Sequence, residues 1–476
     1  MREPPPCISP HRGRPRLLVL PSAVLAVFLG SGAARADAAP APEAAVQPTL
    51  TSDENASPKR ALPAYGGRAP APTSVGDVLV WIPRALLFPA YVVTDFVVRR
   101  PLGALTRVIE GLPTPDTAAS EFSFGTGKRS GLVPTAHFDT DFRPSAGVYF
   151  FYDRFVISDN GLRVQAAFGG TDWLHLTVGD RLALSPRSSV ELRVDTAHRS
   201  DFTFNGTGAR SLAADRGRYG SDYVEGSLSF TTTLPRGFEA KTRADLATVQ
   251  FRDVTCCHEP SVVVLAQAGR YALPASFDAG YTALRAGGEL TYDSRPMGAG
   301  YKSGVRLRGN ATYGSDLRAP GASGWIRYGG SARGFLDLFG HGRVLSLQGT
   351  VLFADPLGDR DVPFTELVPL GGSGPMSGFH EGRLLGRSAA ALALEYRYPI
   401  WAFLDTSLQL SVGNVFDAHL ADFSAQDLRL AFAVGVQTVG VSTQSLSLLF
   451  GGGTETFAQG GHLGELRLAL GLKQGF

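Results

Sequence analysis

The chain has 476 residues, a formal net charge of +2, 57 glycines, 29 phenylalanines and only 18% charged residues. Near-neutrality excludes the basic surface that nucleic acid requires, and three cysteines exclude a disulfide framework. Abundant glycine and aromatic residues with little charge favour one large β-barrel over several soluble domains.

Arg2, Arg12, Arg14 and Arg16 precede an apolar run over 17–30 and the small residues Ala34 and Ala36. This pattern predicts a signal peptide over residues 1–36, cleaved before Asp37, and hence export. The run is too short for a spanning helix, and Cys7 lies ahead of it, where no lipoprotein anchor forms. Without these residues, which hold five arginines and one glutamate, 40 basic residues face 42 acidic ones. Residues 37–75 are rich in alanine and proline without apolar periodicity, the composition of a flexible linker. Residues 76–112 are apolar but interrupted by Pro83, Pro89, Pro101, Arg84, Asp95, Arg99 and Arg100. Short apolar helices at the periplasmic surface or barrel mouth are expected there, with an extra strand pair as the alternative.

Over residues 120–476 the pattern changes to segments of about ten residues with every second residue apolar. Leu466, Leu468, Leu470 and Leu472 alternate with Glu465, Arg467, Gly471 and Lys473; Val190, Leu192 and Val194 alternate with Glu191, Arg193 and Asp195. Slipping the register by one residue would put these charges in hydrocarbon, at about 2–4 kcal/mol for each Arg or Lys at mid-depth. About sixteen candidate strands run from 133–140 to 464–476, among them 188–196, 219–232, 237–250, 341–353 and 387–399. The long gaps 197–218, 251–277, 354–386, 415–425 and 452–463 all follow odd-numbered strands. That asymmetry is expected of a membrane barrel with short periplasmic turns and long outer loops. The fold class is therefore an all-β membrane protein, an antiparallel transmembrane β-barrel of about 16 strands preceded by a linker and short apolar helices.

The sixth outer loop is glycine-rich. Leu370-Gly371-Gly372 leads through Ser377-Gly378-Phe379 to a strand bearing Glu395-Tyr396-Arg397. Together with Phe204-Asn205-Gly206-Thr207-Gly208, Gly413-Asn414-Val415-Phe416 and the aromatic terminus Phe476, these residues resemble the bacterial surface antigen family, the BamA/TamA-type outer-membrane assembly and translocation barrels. The resemblance spans roughly residues 120–476. It implies a loop folded into the lumen, a closing strand read through Leu470, Leu472 and Phe476 as an assembly signal, and a seam between strands 1 and 16 that opens laterally. Two positions depart from the family pattern: Ser377 replaces its loop arginine and Ser411 its wall carboxylate. Losing both partners of a buried pair is far less costly than losing one, so a loop still tucked inward, held by hydrogen bonds and Phe379, is expected. Residues 37–120 leave no room for the POTRA domains that family members usually carry. Glu395 and Arg397 serve equally well as ordinary lumen charges.

No catalytic pattern emerges. Gly125-Thr126-Gly127-Lys128 lacks phosphate-loop spacing, 371–375 fails the nucleophile elbow at its last position, and His137, His175 and His198 have no linking spacing. Cys256-Cys257-His258 offers a soft-metal site or a vicinal disulfide, although one such cluster is poor grounds for a metal. The expectation is a non-enzymatic protein of the cell outer membrane without cofactor. It would act in protein or lipid insertion or translocation, with membrane lipid, the assembly machinery for its own insertion and client proteins as partners. The alternatives are a passive solute channel whose lumen is lined by Glu191, Arg193, Asp195, Glu465, Arg467 and Lys473, and a structural or surface-display barrel.

Overall fold

The computed structural model describes residues 123–124, 129–295, 302–338, 340, 342–401, 404–438 and 445–473. The expected signal peptide, linker and apolar segment, and Phe476, lie outside them. Sixteen antiparallel strands close into a barrel. They are β1 Ser130–Asp139, β2 Ser145–Asp153, β3 Asn160–Phe168, β4 Trp173–Ser185, β5 Ser188–Phe204, β6 Gly217–Leu234, β7 Phe238–Asp253 and β8 Tyr281–Asp293. Then follow β9 Gly304–Asp316, β10 Gly324–Asp337, β11 Val344–Pro356, β12 Ser388–Trp401, β13 Leu404–Phe416, β14 Arg429–Thr438, β15 Ser445–Thr454 and β16 Leu463–Lys473. Each strand pairs with its sequence neighbours, and β16 returns to β1. Closure removes the open edges that neither water nor lipid could satisfy in a bilayer.

The period-2 pattern sorts the side chains. Leu192, Val194, Val224, Leu228, Leu246, Leu284, Leu394, Leu468 and Leu470 are exposed on the outer face, while Asp245, Ser346, Glu395, Glu465 and Arg467 are buried on the inner one. Leu192, in the middle of this band on β5, is 59% exposed. Leu192→Lys is expected to lower the unfolding free energy by about 2–4 kcal/mol, measured by denaturant titration in lipid.

Several strands exceed their sequence-based bounds, and on the outer side of one stretch of wall β5 reaches Phe204, β6 starts at Gly217 and β7 ends at Asp253. Above the lipid the outward positions turn polar, as at His198, Asp222 and Arg252, while Phe204, Tyr219 and Phe251 face inward, so the apolar-out alternation that marks a spanning strand reverses although pairing continues. A register shift between Arg199 and Phe202 of β5 alters the facing there as well. The extended walls carry a cap. Helix α1, Val262–Gln267, starts at Ser261, whose Oγ accepts from the Val264 N–H. Phe364 sits between Phe204, Tyr219 and Phe251, with ring centroids at 5.6, 5.3 and 4.8 Å, and Val262, Phe277 and Trp325 complete a buried cluster at the outer mouth.

Candidate functional site

The sixth outer loop, between β11 and β12, forms a short hairpin, Val368–Leu370 with Leu384–Gly386. Its tip runs inward among lumen-facing side chains. Met376, Phe379, His380 and Arg383 are all fully buried. Gly371 and Gly372 take φ of 107° and 64°, conformations that favour glycine. The tip rests in a slot made by three consecutive glycines of β15. A Cβ on Gly378 would lie 2.2 Å from the Gly452 carbonyl oxygen and 2.6 Å from that of Phe432, and one on Gly453 would lie 2.2 Å from the Phe379 ring. Glycine here removes side-chain volume so that one backbone can approach another.

Arg467 of β16 binds this tip from the wall. Its Nη1 donates to the carbonyls of Gly372 at 2.6 Å, Ser377 at 3.0 Å and Phe379 at 3.3 Å. Its Nε and Nη2 donate to the Asp139 carboxylate of β1, at 3.1 and 2.7 Å. One guanidinium, with its five donors, thus joins the loop, the last strand and the first. His380 makes a parallel connection, with Nδ1 on Glu465 of β16 and Nε2 3.1 Å from the Thr140 hydroxyl just past β1. Higher in the lumen, Arg383 and Arg429 share Glu455. Burial, then the like charge of Arg429, pushes Arg383 down to about 10, which leaves it protonated at neutral pH.

Ser377 bonds through Oγ to Gln409 of β13 at 2.5 Å. Gln409 is the cross-strand partner of Glu395, so the loop residues and the strand residues meet on one stretch of wall. Glu395 itself pairs with Arg333 and with Arg397, the latter at 2.7 Å. Ser411 bonds along its own sheet, to the Ala431 carbonyl. Tyr396 lies on the outward side but is only 5% exposed, clustered with Tyr398, Ile400 and Leu338. Leu470 faces outward at 42% exposure, and Leu472 pairs with Ala136 of β1.

The remaining candidates lie apart from this assembly. His175 pairs with Asp195 on the inner face, whereas His198 pairs with Asp222 on the outer face. Cys256 and Cys257 are joined as a vicinal disulfide, leaving no thiolate for a metal, and His258 follows with a φ of 67°. Asp139, His380 and the glycine slot 451–453 were not foreseen from sequence. A run of three glycines inside a strand was the one available signal.

The β1/β16 seam differs from the other ladders. Among the described residues it has four paired positions, Ala136–Asp139 with Ala469–Leu472, whereas β6 and β7 pair from Tyr219–Asp253 down to Leu234–Phe238. Thr140 N–H adds one bond to the Leu468 carbonyl. Pro134 has the parity of Ala136 and Phe138, whose backbone groups face β16, and offers no N–H there. Lower down, Ser123–Phe124 pairs with Ser130–Gly131.

A family model described as "Omp85 superfamily domain" matches residues 164–444, more than half of the chain. No curated protein matches. Among solved structures, BamA from Haemophilus ducreyi lacking POTRA domains 1–3 aligns with a TM-score of 0.51 at 13% identity, over 72% of this chain and 70% of that one. CdiB from Escherichia coli aligns at 0.47 and 13% identity, over 71% and 62%, and CdiB from Acinetobacter baumannii at 0.46 and 9%, over 72% and 59%. The chain thus spans about three fifths of the two CdiB chains. At these identities the likeness to BamA concerns the fold alone.

Proposed function

The chain belongs to the Omp85 superfamily, and from that premise we propose that this outer-membrane barrel helps insert or translocate proteins, or lipid, by parting β1 from β16. The observation that carries this reading is the short ladder at the seam, with Pro134 withholding a donor from it. Among the described residues, parting its four paired positions breaks fewer pairs than opening any other ladder of the wall. The edges so exposed present unpaired N–H and C=O groups to an incoming strand. Arg467, His380 and Asp139 join the loop to both sides of the seam, so seam and loop are proposed to open together. The aromatic cap at the outer mouth and the loop in the lumen weigh against the alternative of a passive solute channel.

Phe138 and Leu470 are directly opposed across the seam, within the spacing that a disulfide bridges. In a Phe138→Cys/Leu470→Cys variant, oxidation is expected to stop delivery, seen by quantitative proteomics as a selective fall of at least tenfold in newly inserted client proteins, with recovery on reduction. Unchanged client levels with the cross-link fully formed would exclude lateral opening. A loss of solute uptake without loss of any protein would support the channel.

A further inference from the structure

On the outer face of β4–β7, directly above the exposed leucines and valines of the lipid-facing band, lies a cleft of about 300 Å³. Its lining is mainly apolar, with His198 and Asp222 at its upper end. His198 of β5 lies 2.5 Å from the Asp222 carboxylate of β6, and Arg252 of β7, which adjoins the lining, forms an ion pair with it at 2.9 Å. Nη2 of Arg252 lies 3.4 Å from the His198 ring. Gln250 continues the polar lining, while Leu174 and Val224 flank the cleft at 51% and 55% exposed. A second ion pair, Arg143 with Asp172 at 3.5 Å, stands on the neighbouring outer turns. The Asp172 carboxyl is held below its ordinary range by the Thr171 hydroxyl, with Arg143, Arg252 and His198 adding to it, so the two charged groups lie within electrostatic reach.

These positions share the parity of Val194, Val224 and Leu246, which face lipid. Charged groups on that parity are costly in the hydrocarbon and tolerated at the headgroup level. The cleft therefore presents, at one depth, cations and carboxylates side by side above two exposed apolar side chains. A purely anionic headgroup would be repelled by Asp222 and Asp172. A headgroup with both signs satisfies the whole surface, its phosphate on Arg252 and His198 and its ammonium on Asp222, with the first carbons of the acyl chains on Leu174 and Val224. Arg252 has donors to give, since its Nε and Nη2 are the atoms engaged and a guanidinium carries five N–H groups.

We propose that this outward cleft, lined by His198 and Asp222 over Leu174 and Val224 and adjoined by Arg252, binds the phosphoethanolamine group of a membrane lipid. The same group is carried by glycerophospholipids and by decorated glycolipids, and the cleft would read the group they share. The test uses the full chain in detergent micelles, with bound lipid followed by native mass spectrometry. The probes are phosphatidylethanolamine, a phosphoethanolamine-bearing glycolipid, phosphatidylglycerol and a diacylglycerol. Retention of the phosphatidylethanolamine adduct is expected to exceed that of phosphatidylglycerol and diacylglycerol by about tenfold, as expected for about 1.4 kcal/mol. Asp222→Asn/Arg252→Gln should abolish the difference. Val224→Trp, which fills the cleft without touching its charges, should do the same, with the heat-induced gel shift of the folded barrel unchanged. Preference for the glycolipid over phosphatidylethanolamine would identify the source while keeping the group. Equal retention of all four lipids, or a preference that survives both variants, would overturn the proposal.

Discussion

Gly378→Val is expected to expel the tip of the sixth loop from the lumen. The added Cβ would stand 2.2 and 2.6 Å from two backbone carbonyl oxygens, those of Gly452 and Phe432. Both belong to paired strands, β15 and β14, so neither can yield without breaking ladder bonds. Overpacking of this kind costs about 1–3 kcal/mol, which shifts the docked–undocked equilibrium roughly 5- to 150-fold. Two measurements follow it: cleavage of the loop by external protease, and conductance in planar bilayers, both of which should rise. Gly453→Ala meets the Phe379 ring instead of backbone; because a ring can tilt, its effect should be smaller. A docked, protease-resistant loop in Gly378→Val would show that the tip is not held by the glycine slot.

The second large effect is expected of Arg467→Gln. The substitution takes the partner from the buried Asp139 carboxylate and the donor from three loop carbonyls. Removing one side of a buried ion pair costs about 3–5 kcal/mol, since the remaining charge has nowhere to go. The folded barrel should therefore lose its resistance to heat, with the gel-shift midpoint falling, and protease access to the loop should rise. Adding Asp139→Asn should recover much of the loss, because the stranded carboxylate is gone. Failure of the second substitution to rescue heat resistance would mean that Arg467 acts through the loop carbonyls rather than through the seam.

Much of the barrel was readable from period-2 alternation. Leu466, Leu468 and Leu470 against Glu465 and Arg467 specify register strongly, because lipid and lumen penalise a slip on opposite faces. Loop lengths carried the rest of the topology, since only one parity of connection is long. What sequence could not convey was pairing over distance. Arg467 read as one lumen charge among several, and nothing nearby pointed to Gly372, 95 positions away. Gly452 and Gly453 fell in the gap expected over 452–463, because the reason for a missing side chain lies in the loop that fills the space. The upper parts of β5, β6 and β7 were underestimated where the outer face turns polar and the inner face carries aromatic residues of the cap, so the apolar-out alternation is reversed. For the sixth loop, nothing in the sequence near Ser377 showed that Arg467 on the wall reaches the loop from the opposite side.

The anchors of the sixth loop also bear on the order of folding. Gly452, Gly453, Glu465 and Arg467 belong to the last two strands, and Asp139 to the first, 328 residues from Arg467. These contacts cannot form until the chain ends have met, so they contribute nothing to early steps and everything to the last one. The loop must remain undocked while β12 to β16 assemble, then seat as the circle closes. Docking is thereby a checkpoint on completed closure: a barrel missing its final strand has the slot but lacks the Arg467 guanidinium and the Glu465 carboxylate that hold the loop in it, and keeps its lumen open.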